Sequence, residues 1–226
     1  MYFIQKNLTR LENNQNSFFL DPKQLKELKS KLKKGTYSIY YPYPDSEKNI
    51  IYIKDPPEVL LYEILIKTPV RHQDILGSIY SLNIAPELFG DILIIDNKYY
   101  IYILKILRNY FESNFLKVKN SSIELKEIPI ATFKDYYRSY KEIEIIASSN
   151  RIDTVVASIC HINRSNINHL IQKKEIMLNY DYLKNSDYKL KEGDTFSIKR
   201  IGKFKYQGIK KSTKSNKFVL ILKQYI

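Results

Sequence analysis

Residues 91–103 read Asp91-Ile92-Leu93-Ile94-Ile95-Asp96-Asn97-Lys98-Tyr99-Tyr100-Ile101-Tyr102-Ile103. Two apolar runs rich in β-branched and aromatic residues, 91–95 and 99–103, flank Asp96-Asn97-Lys98. Asp and Asn tolerate the left-handed backbone of tight turns, so the stretch reads as a β-hairpin. Upstream, His72–Leu82 places Ile75, Ile79 and Leu82 at helical spacing, and Val59–Lys67 before it is apolar and β-branched. Downstream, Leu104–Phe115 puts Leu104, Leu107, Phe111 and Phe115 on one side of a helix, and Ser122–Ile128 is again strand-like. The order is β-α-β-β-α-β, the split βαβ of ferredoxin-like folds.

Many RNA-recognition modules share that order, as do unrelated domains, so the order alone does not assign a role. The strand Lys98–Ile103 is aromatic but lacks the Gly-rich signature of RNA-recognition motifs. Its tyrosines read as strand formers partly packed on the sheet, with base stacking as the alternative.

On the N-terminal side, Asp21-Pro22 followed by Leu25, Leu28 and Leu32 reads as a helix. Asp21 fits the N-cap, Pro22 the first helical position and Gly35 the stop. Lys29, Lys31, Lys33 and Lys34 crowd its last turns, where they complement the helix dipole. Thr36–Tyr41 and Asn49–Lys54 are strand-like runs around a turn-rich Pro42–Ser46, and Asp55-Pro56-Pro57 reads as a linker. Beyond the hairpin region, Ala131–Tyr140 is a Tyr-rich connection, Glu142–Ala147 a strand, and Ser148-Ser149-Asn150 a loop and cap cluster.

The expected organisation is therefore α+β in three small domains. Residues 1–56 form an N-terminal α/β domain, 57–146 a ferredoxin-like (RRM-like) domain with a connecting strand, and 147–226 a C-terminal domain. The length of 226 residues allows this, at about 100–200 residues for one domain or fewer for small ones.

Charge is unevenly distributed over these parts. The chain carries 37 Lys+Arg against 24 Asp+Glu, a formal +13. Residues 1–146 hold 21 basic and 18 acidic residues, a net +3, whereas residues 147–226 hold 16 and 6, a net +10. Ile, Lys, Asn and Tyr all have A/T-rich codons, so base bias could raise the lysine total, but it would act on both parts alike. The asymmetry argues for a localised polyanion site. Interleaved Phe196, Ile198, Ile201, Phe204 and Phe218–Ile221 argue against a disordered basic tail.

Other classes are disfavoured. Cys160 is the single cysteine, so no internal disulfide and no cysteine-based zinc site is possible. His72, His161 and His169 are the three histidines, too few for a convincing metal centre. No apolar run reaches the roughly 18 residues of a membrane span, and Met1–Arg10 lacks a signal-peptide pattern. The six glycines form no phosphate loop or methyltransferase cluster. Asp74, Asp91 and Asp96 are the carboxylates near the middle motifs. Asp74, with His72 two residues away, could do acid–base work, but a helix cap for Asp74 and a strand start for Asp91 are the preferred readings. Cys160 reads as packed rather than nucleophilic.

In the C-terminal part, Asn150 can cap a helix from Arg151, with Asp153 favourable at its N-terminus and Ile152, Val155, Val156 and Ile159 as its apolar stripe. Asn163 can cap a second helix, with Ile167, Leu170 and Ile171 inward, and Arg164 and Ser165 in its first turn suit a phosphate oxygen. Lys173 and Lys174 end that helix. Strands Ile176–Tyr180 and Thr195–Arg200 follow, the second after the turn Glu192-Gly193-Asp194.

Arg151-Ile152-Asp153, Arg164-Ser165 with Leu170-Ile171, Leu178-Asn179 and Glu192-Gly193-Asp194 together resemble the S-four (alpha-L) RNA-binding domain, named after ribosomal small-subunit protein four. The resemblance implies a two-helix motif and following strand laid on structured RNA. The RNA contacts it assigns are Arg151, Arg164, Ser165, Lys173, Lys174, Asn179 and Lys203, and the neighbouring Lys199, Arg200 and Lys205 are further RNA-binding candidates. Asn163 stands where the family usually has Ser, and Lys174 where it usually has a helix-closing Gly. Lys there would cost on the order of 1 kcal/mol in the left-handed conformation.

Further upstream, Arg71-His72-Gln73-Asp74-Ile75-Leu76-Gly77-Ser78, Gly90-Asp91-Ile92-Leu93, Gly202-Lys203-Phe204-Lys205 and Phe19-Leu20-Asp21-Pro22 resemble the YlmH family. That resemblance implies a bacterial, cytoplasmic, non-enzymatic and monomeric protein that binds rRNA of the large ribosomal subunit. It further implies stabilisation of tRNA or peptidyl-tRNA in ribosome-associated quality control or stalled-ribosome rescue. No cofactor, metal or membrane is implied. Family genes often lie in a cell-division cluster. An unrecognised RNA-modifying enzyme, with Asp74 or Asp91 catalytic, and an adaptor linked to cell division are the alternatives.

Overall fold

The hairpin at 91–103 forms as its residues dictate. Strands β4 (Phe89–Ile95) and β5 (Lys98–Leu104) pair antiparallel. Asp96 and Asn97 have φ of 50° and 60°, the two positive values of a type I′ hairpin turn. A computed structural model describes residues 2–213 and 216–225 of the chain. They divide into two compact units, Met1–Tyr137 and Arg138–Ile226.

In the first unit, α1 (Tyr2–Glu12), α2 (Pro22–Lys31), β1 (Ser38–Tyr40) and β2 (Ile50–Tyr52) precede β3 (Val59–Ile66) and α3 (His72–Ser81). After the hairpin come α4 (Arg108–Asn114), β6 (Lys117–Val118) and β7 (Ser121–Ile128). The large sheet is antiparallel throughout, in the order β4-β5-β3-β7-β6. Its four main strands thus take the order of the split βαβ. α3 and α4 contribute Ile75, Ile79 and Phe111 to a core on one face with Tyr62, Ile64, Ile101 and Ile103.

Asp21 caps α2 as its sequence predicts. Its Oδ1 accepts from the Gln24 backbone N–H at 2.8 Å, and Gln24 Oε1 accepts from the Asp21 N–H at 3.0 Å, a reciprocal capping box. Helix α1 was not anticipated. Its Ile4 and Leu11 pack against Leu20, Leu28 and Ile51 in a small satellite core.

The other face of the large sheet is covered by the N-terminal segment. Phe19, Tyr43 and Ile50 pack on Leu61, Leu93, Tyr100, Tyr102 and Leu104, and Phe133 and Tyr136 close the layer. Residues 1–56 therefore share a core with the split βαβ as well as having one of their own. Tyr99, Tyr100 and Tyr102 are all buried. Tyr43 stacks on Tyr102 at 5.9 Å between ring centroids, so these rings serve packing and not base stacking.

The second unit begins earlier than residue 147. Strand β8 (Tyr140–Ala147), expected to end the middle domain, pairs along its whole length with β13 (Phe218–Tyr225). The unit continues with α5 (Ile152–Cys160), a 3-10 turn at Arg164–Asn166, α6 (Ile167–Gln172), β9 (Ile176–Leu178), β10 (Asp181–Tyr182), β11 (Thr195–Ile198) and β12 (Gly202–Ser212). Its sheet order is β10-β9-β11-β12-β13-β8. Helices α5 and α6 cover one face, where Ile152, Val155, Val156 and Ile167 meet Phe196, Phe204, Leu220 and Leu222. Moving the boundary to 137/138 leaves the charge split unchanged. The first unit carries 19 basic and 16 acidic residues and the second 18 and 8, again +3 and +10.

Candidate nucleic-acid interface

The start of α5 is built differently from its sequence reading. Arg151, not Asn150, is the N-cap, and its side chain makes no capping bond. Asn150 instead ties to Leu190. Its Nδ2 donates to the Leu190 carbonyl at 3.0 Å, and its own carbonyl accepts from the Leu190 N–H at 3.0 Å. The Ile152 and Asp153 amides donate to the carbonyls of Tyr188 and Ser186, so the 186–190 segment closes this helix end.

That arrangement leaves the Asp153 carboxylate for another task. Its side chain is 4% exposed and holds two arginines. Arg151 Nη2 donates to Oδ2 at 2.9 Å and its Nε to Oδ1 at 3.3 Å. Arg164 Nε donates to the same Oδ2 at 2.8 Å, with Nη2 at 2.7 Å. The Thr154 amide donates to Oδ1 at 2.8 Å. Burial pushes this carboxyl up, but the arginine hydrogen bonds outweigh it and hold it below the usual carboxylate range. The two guanidinium groups, part-exposed at 32% and 51%, line an open cavity of about 310 Å³ with Ser165, Asn168 and Ser186. Two oriented forks and hydroxyl donors around a shallow opening suit phosphate oxygens.

The remaining predicted contacts fall into separate groups. Lys173 and Lys174 are exposed at the end of α6. Lys174 has φ 54°, so it keeps the left-handed helix closure that favours Gly. Its ammonium lies 5.7 Å from the Tyr182 ring centroid. Lys199 and Arg200 are exposed in the β11–β12 turn. Lys203 and Lys205 project from β12 on the face away from the helices, alternating with buried Phe204 and Tyr206. Asn179 is used internally. Its Nδ2 donates to Asp194 Oδ1 at 2.8 Å and its Oδ1 accepts from the Thr195 N–H at 3.0 Å. It therefore sets the turn into β11. Asn163 precedes the turn at Arg164 without a side-chain capping bond.

Sequence reasoning missed Asp153 as the bridge, together with Asn168 and Ser186. The Arg151/Asp153 spacing is visible in the sequence, but by itself it suggests only dipole support for the helix. The link to Arg164 spans eleven residues and forms only in three dimensions.

The acidic candidates of the first unit have structural partners. Asp91 is buried and accepts from the Tyr43 hydroxyl at 2.6 Å and the Glu47 N–H at 2.8 Å. Asp74 accepts from the Arg71 backbone N–H at 2.9 Å, capping α3, and pairs with Lys119 at 3.1 Å. The hydrogen bond from the Arg71 side chain, with the backbone one, holds its carboxyl well below the usual range. Among the described residues no cluster of three His, Cys, Asp or Glu is placed to hold a metal, and no helix is long and apolar enough to cross a membrane.

Comparison with known proteins places these features. Residues 62–132 match the family described as "Putative RNA-binding domain in YlmH". Over 152 residues the chain is 22% identical to ribosome-associated protein quality control protein P2 of Bacillus subtilis (strain 168), covering 66% of this chain and 58% of that one. The chain thus spans under two thirds of this curated relative. The solved cell division protein ylmH from Streptococcus pneumoniae matches with a TM-score of 0.50 and 21% identity, over 59% of this chain and 93% of that one. At that identity the likeness shows the fold.

Proposed function

We propose, for a chain that belongs to the YlmH family, a role as a non-enzymatic RNA-binding factor of the ribosome. It docks on rRNA of the large subunit through its C-terminal unit and steadies tRNA or peptidyl-tRNA during quality control of stalled ribosomes. The observation that carries this reading is the Arg151–Asp153–Arg164 bridge, which presents two guanidinium forks in the unit bearing +10 of the net charge. The name of the Bacillus subtilis relative supports the ribosomal setting. Arg164 points one fork edge at Asp153 and stays half exposed, the state of an oriented phosphate ligand.

The test is co-sedimentation with purified large subunits over a salt series. Arg151→Ala with Arg164→Ala is expected to weaken binding and to flatten the log–log salt slope by about 0.7–0.9 per lost phosphate contact. Unchanged sedimentation of the double variant would refute the assigned surface. Absence of covalent chemistry is tested separately, by comparing rRNA and tRNA modification profiles with and without the gene. A nucleotide that loses its modification would overturn the non-enzymatic reading.

A further inference from the structure

The six-stranded sheet of the second unit has a face that the helices do not cover. Strand alternation decides which residues lie on it. In β12, Phe204 and Tyr206 point to the core and Lys203 and Lys205 to the other side. In β13, Leu220 and Leu222 point inward, so Lys223 and Tyr225 point outward. Register puts Tyr225 beside Tyr140 of β8 and Lys223 beside Lys205 of β12.

Side-chain contacts link these residues into one stripe. Lys203 Nζ lies 4.7 Å from the Tyr180 ring centroid and 4.8 Å from that of Tyr225. Tyr225 meets Tyr140 edge-to-face at 4.9 Å. Lys223 Nζ lies 5.8 Å from the Tyr140 ring. Tyr180, Lys203, the adjacent rings of Tyr225 and Tyr140, and Lys223 therefore form one stripe of rings and cations, and all are part-exposed.

We propose that this face is a second RNA surface, which takes a short unpaired segment with bases stacked on the tyrosines and phosphates on Lys203, Lys205 and Lys223. This rests on the RNA-binding reading above and adds the class of RNA. Rings give sequence-tolerant stacking, and the ammonium groups beside them supply the positive charge that a phosphate backbone needs. A base arriving on a ring displaces the ammonium above it, which is then placed to meet that nucleotide's phosphate. Glu142 and Glu144 on β8 are exposed; Glu142 stands opposite Lys223 in register and Glu144 pairs with Lys210, so the β8 side of the stripe is its acidic side and the lysines of β12 and β13 carry its positive charge. A protein ligand would find few apolar anchors here. The charge on the face favours a polyanion.

The arginine cavity lies at the start of α5 and at the turn before α6, whereas this stripe lies on the sheet face away from both helices, so the two surfaces can be separated by mutation. The test uses the full chain and a fluorescein-labelled oligouridylate of about ten nucleotides, which forms no stable structure. Tyr225→Ala is expected to weaken its binding about fivefold or more. Tyr225→Phe keeps the ring and is expected to stay within about twofold. Arg151→Ala with Arg164→Ala is expected to leave oligouridylate binding nearly unchanged while weakening sedimentation with large subunits. A second measurement needs no variant: photo-cross-linking of the wild type to a 4-thiouridine oligonucleotide is expected to label peptides carrying Tyr180, Lys203 or Tyr225.

Failure to bind the oligonucleotide, an unaffected Tyr225→Ala, or cross-links confined to the arginine cavity would each overturn the proposal. The first of these with subunit binding intact refutes this surface alone; loss of both bindings refutes the ribosomal role as well.

Discussion

Substituting Asp153 by Asn separates two accounts of the arginine pair. Net charge becomes more positive by one, so a purely Coulombic account expects tighter RNA binding. The geometry gives the opposite sign. Asp153 Oδ2 accepts from Arg151 at 2.9 Å and from Arg164 Nε at 2.8 Å, and Oδ1 accepts from the Thr154 amide at 2.8 Å. An amide in that place keeps one acceptor and turns an NH₂ toward donors that need an oxygen. With the NH₂ at the Oδ2 position both arginines lose that acceptor, and with it at the Oδ1 position the Thr154 amide and Arg151 Nε lose theirs. A charge-assisted hydrogen bond is worth about 1.5–3 kcal/mol when its loss leaves a buried group unmatched. Both arginines are part-exposed, so the lower end applies, about 2 kcal/mol.

For a unit of this size each kcal/mol corresponds to roughly 4–8 °C in Tm, so the second unit is expected to melt about 8–16 °C earlier. Large-subunit binding is expected to weaken, with the salt slope flatter by about one contact. Thermal unfolding followed by circular dichroism and sedimentation over a KCl series measure the two. Equal or tighter RNA binding with an unchanged Tm would refute the positioning argument. The acid limb gives the same sign. The Asp153 carboxyl is depressed in the folded state, so its stabilisation is present above the unfolded value near 4 and is lost as pH falls through the lower folded one. Asp153→Asn is expected to abolish that part of the acid loss.

Three further outcomes are expected. A Cβ at Gly90 would lie 2.9 Å from Phe19 Cε1 and 3.0 Å from Tyr102 Cβ, so Gly90→Ala is expected to destabilise the first unit by about 1–3 kcal/mol in urea unfolding. Lys174→Gly relieves a left-handed residue with φ 54° and is expected to raise the stability of the second unit by about 0.5–1 kcal/mol. Burial, partly offset by Asp91, Asp21 and Glu87, brings the Lys48 ammonium down to about 8 from 10.5. The unfolded chain then holds more protons between these values, so stability is expected to rise with pH over that window, by at most about 3 kcal/mol. Lys48→Gln should flatten the rise, as measured by urea midpoints at both ends of the window.

Much of the fold was legible because its signals are local. Asp96-Asn97 needs two left-handed residues, and Asp21-Pro22 with Gln24 writes a capping box within four positions. The boundary at 137/138 was not legible. Glu142–Ala147 announces a strand, but its partner lies more than seventy residues later in β13, and strand character alone does not name a partner. The same reason hid the roles of Asp153 and Asn179. Arg151 and Arg164 could be singled out by charge, whereas the carboxylate that joins them needed the fold. Asn179 looked like an RNA ligand because its bond to Asp194 spans fifteen residues. The left-handed turn at Lys174 kept its shape, because the backbone bond from Lys174 N–H to the Ile171 carbonyl at 2.9 Å closes it whatever the side chain.

The tyrosines show why placement matters more than composition. In the first unit Tyr43, Tyr62, Tyr99, Tyr100 and Tyr102 are buried, and the sheet face that an RNA-recognition motif would use is roofed by Phe19, Ile50 and Phe133. RNA reaching that unit must therefore meet its helices or loops rather than its sheet. In the second unit Tyr140, Tyr180 and Tyr225 stay part-exposed beside lysines on the sheet face away from that unit's helices. Base-stacking potential and positive charge thus coincide in one unit and are separated in the other. That coincidence, unlike the total of +13, is the observation on which the proposal of a second RNA surface rests.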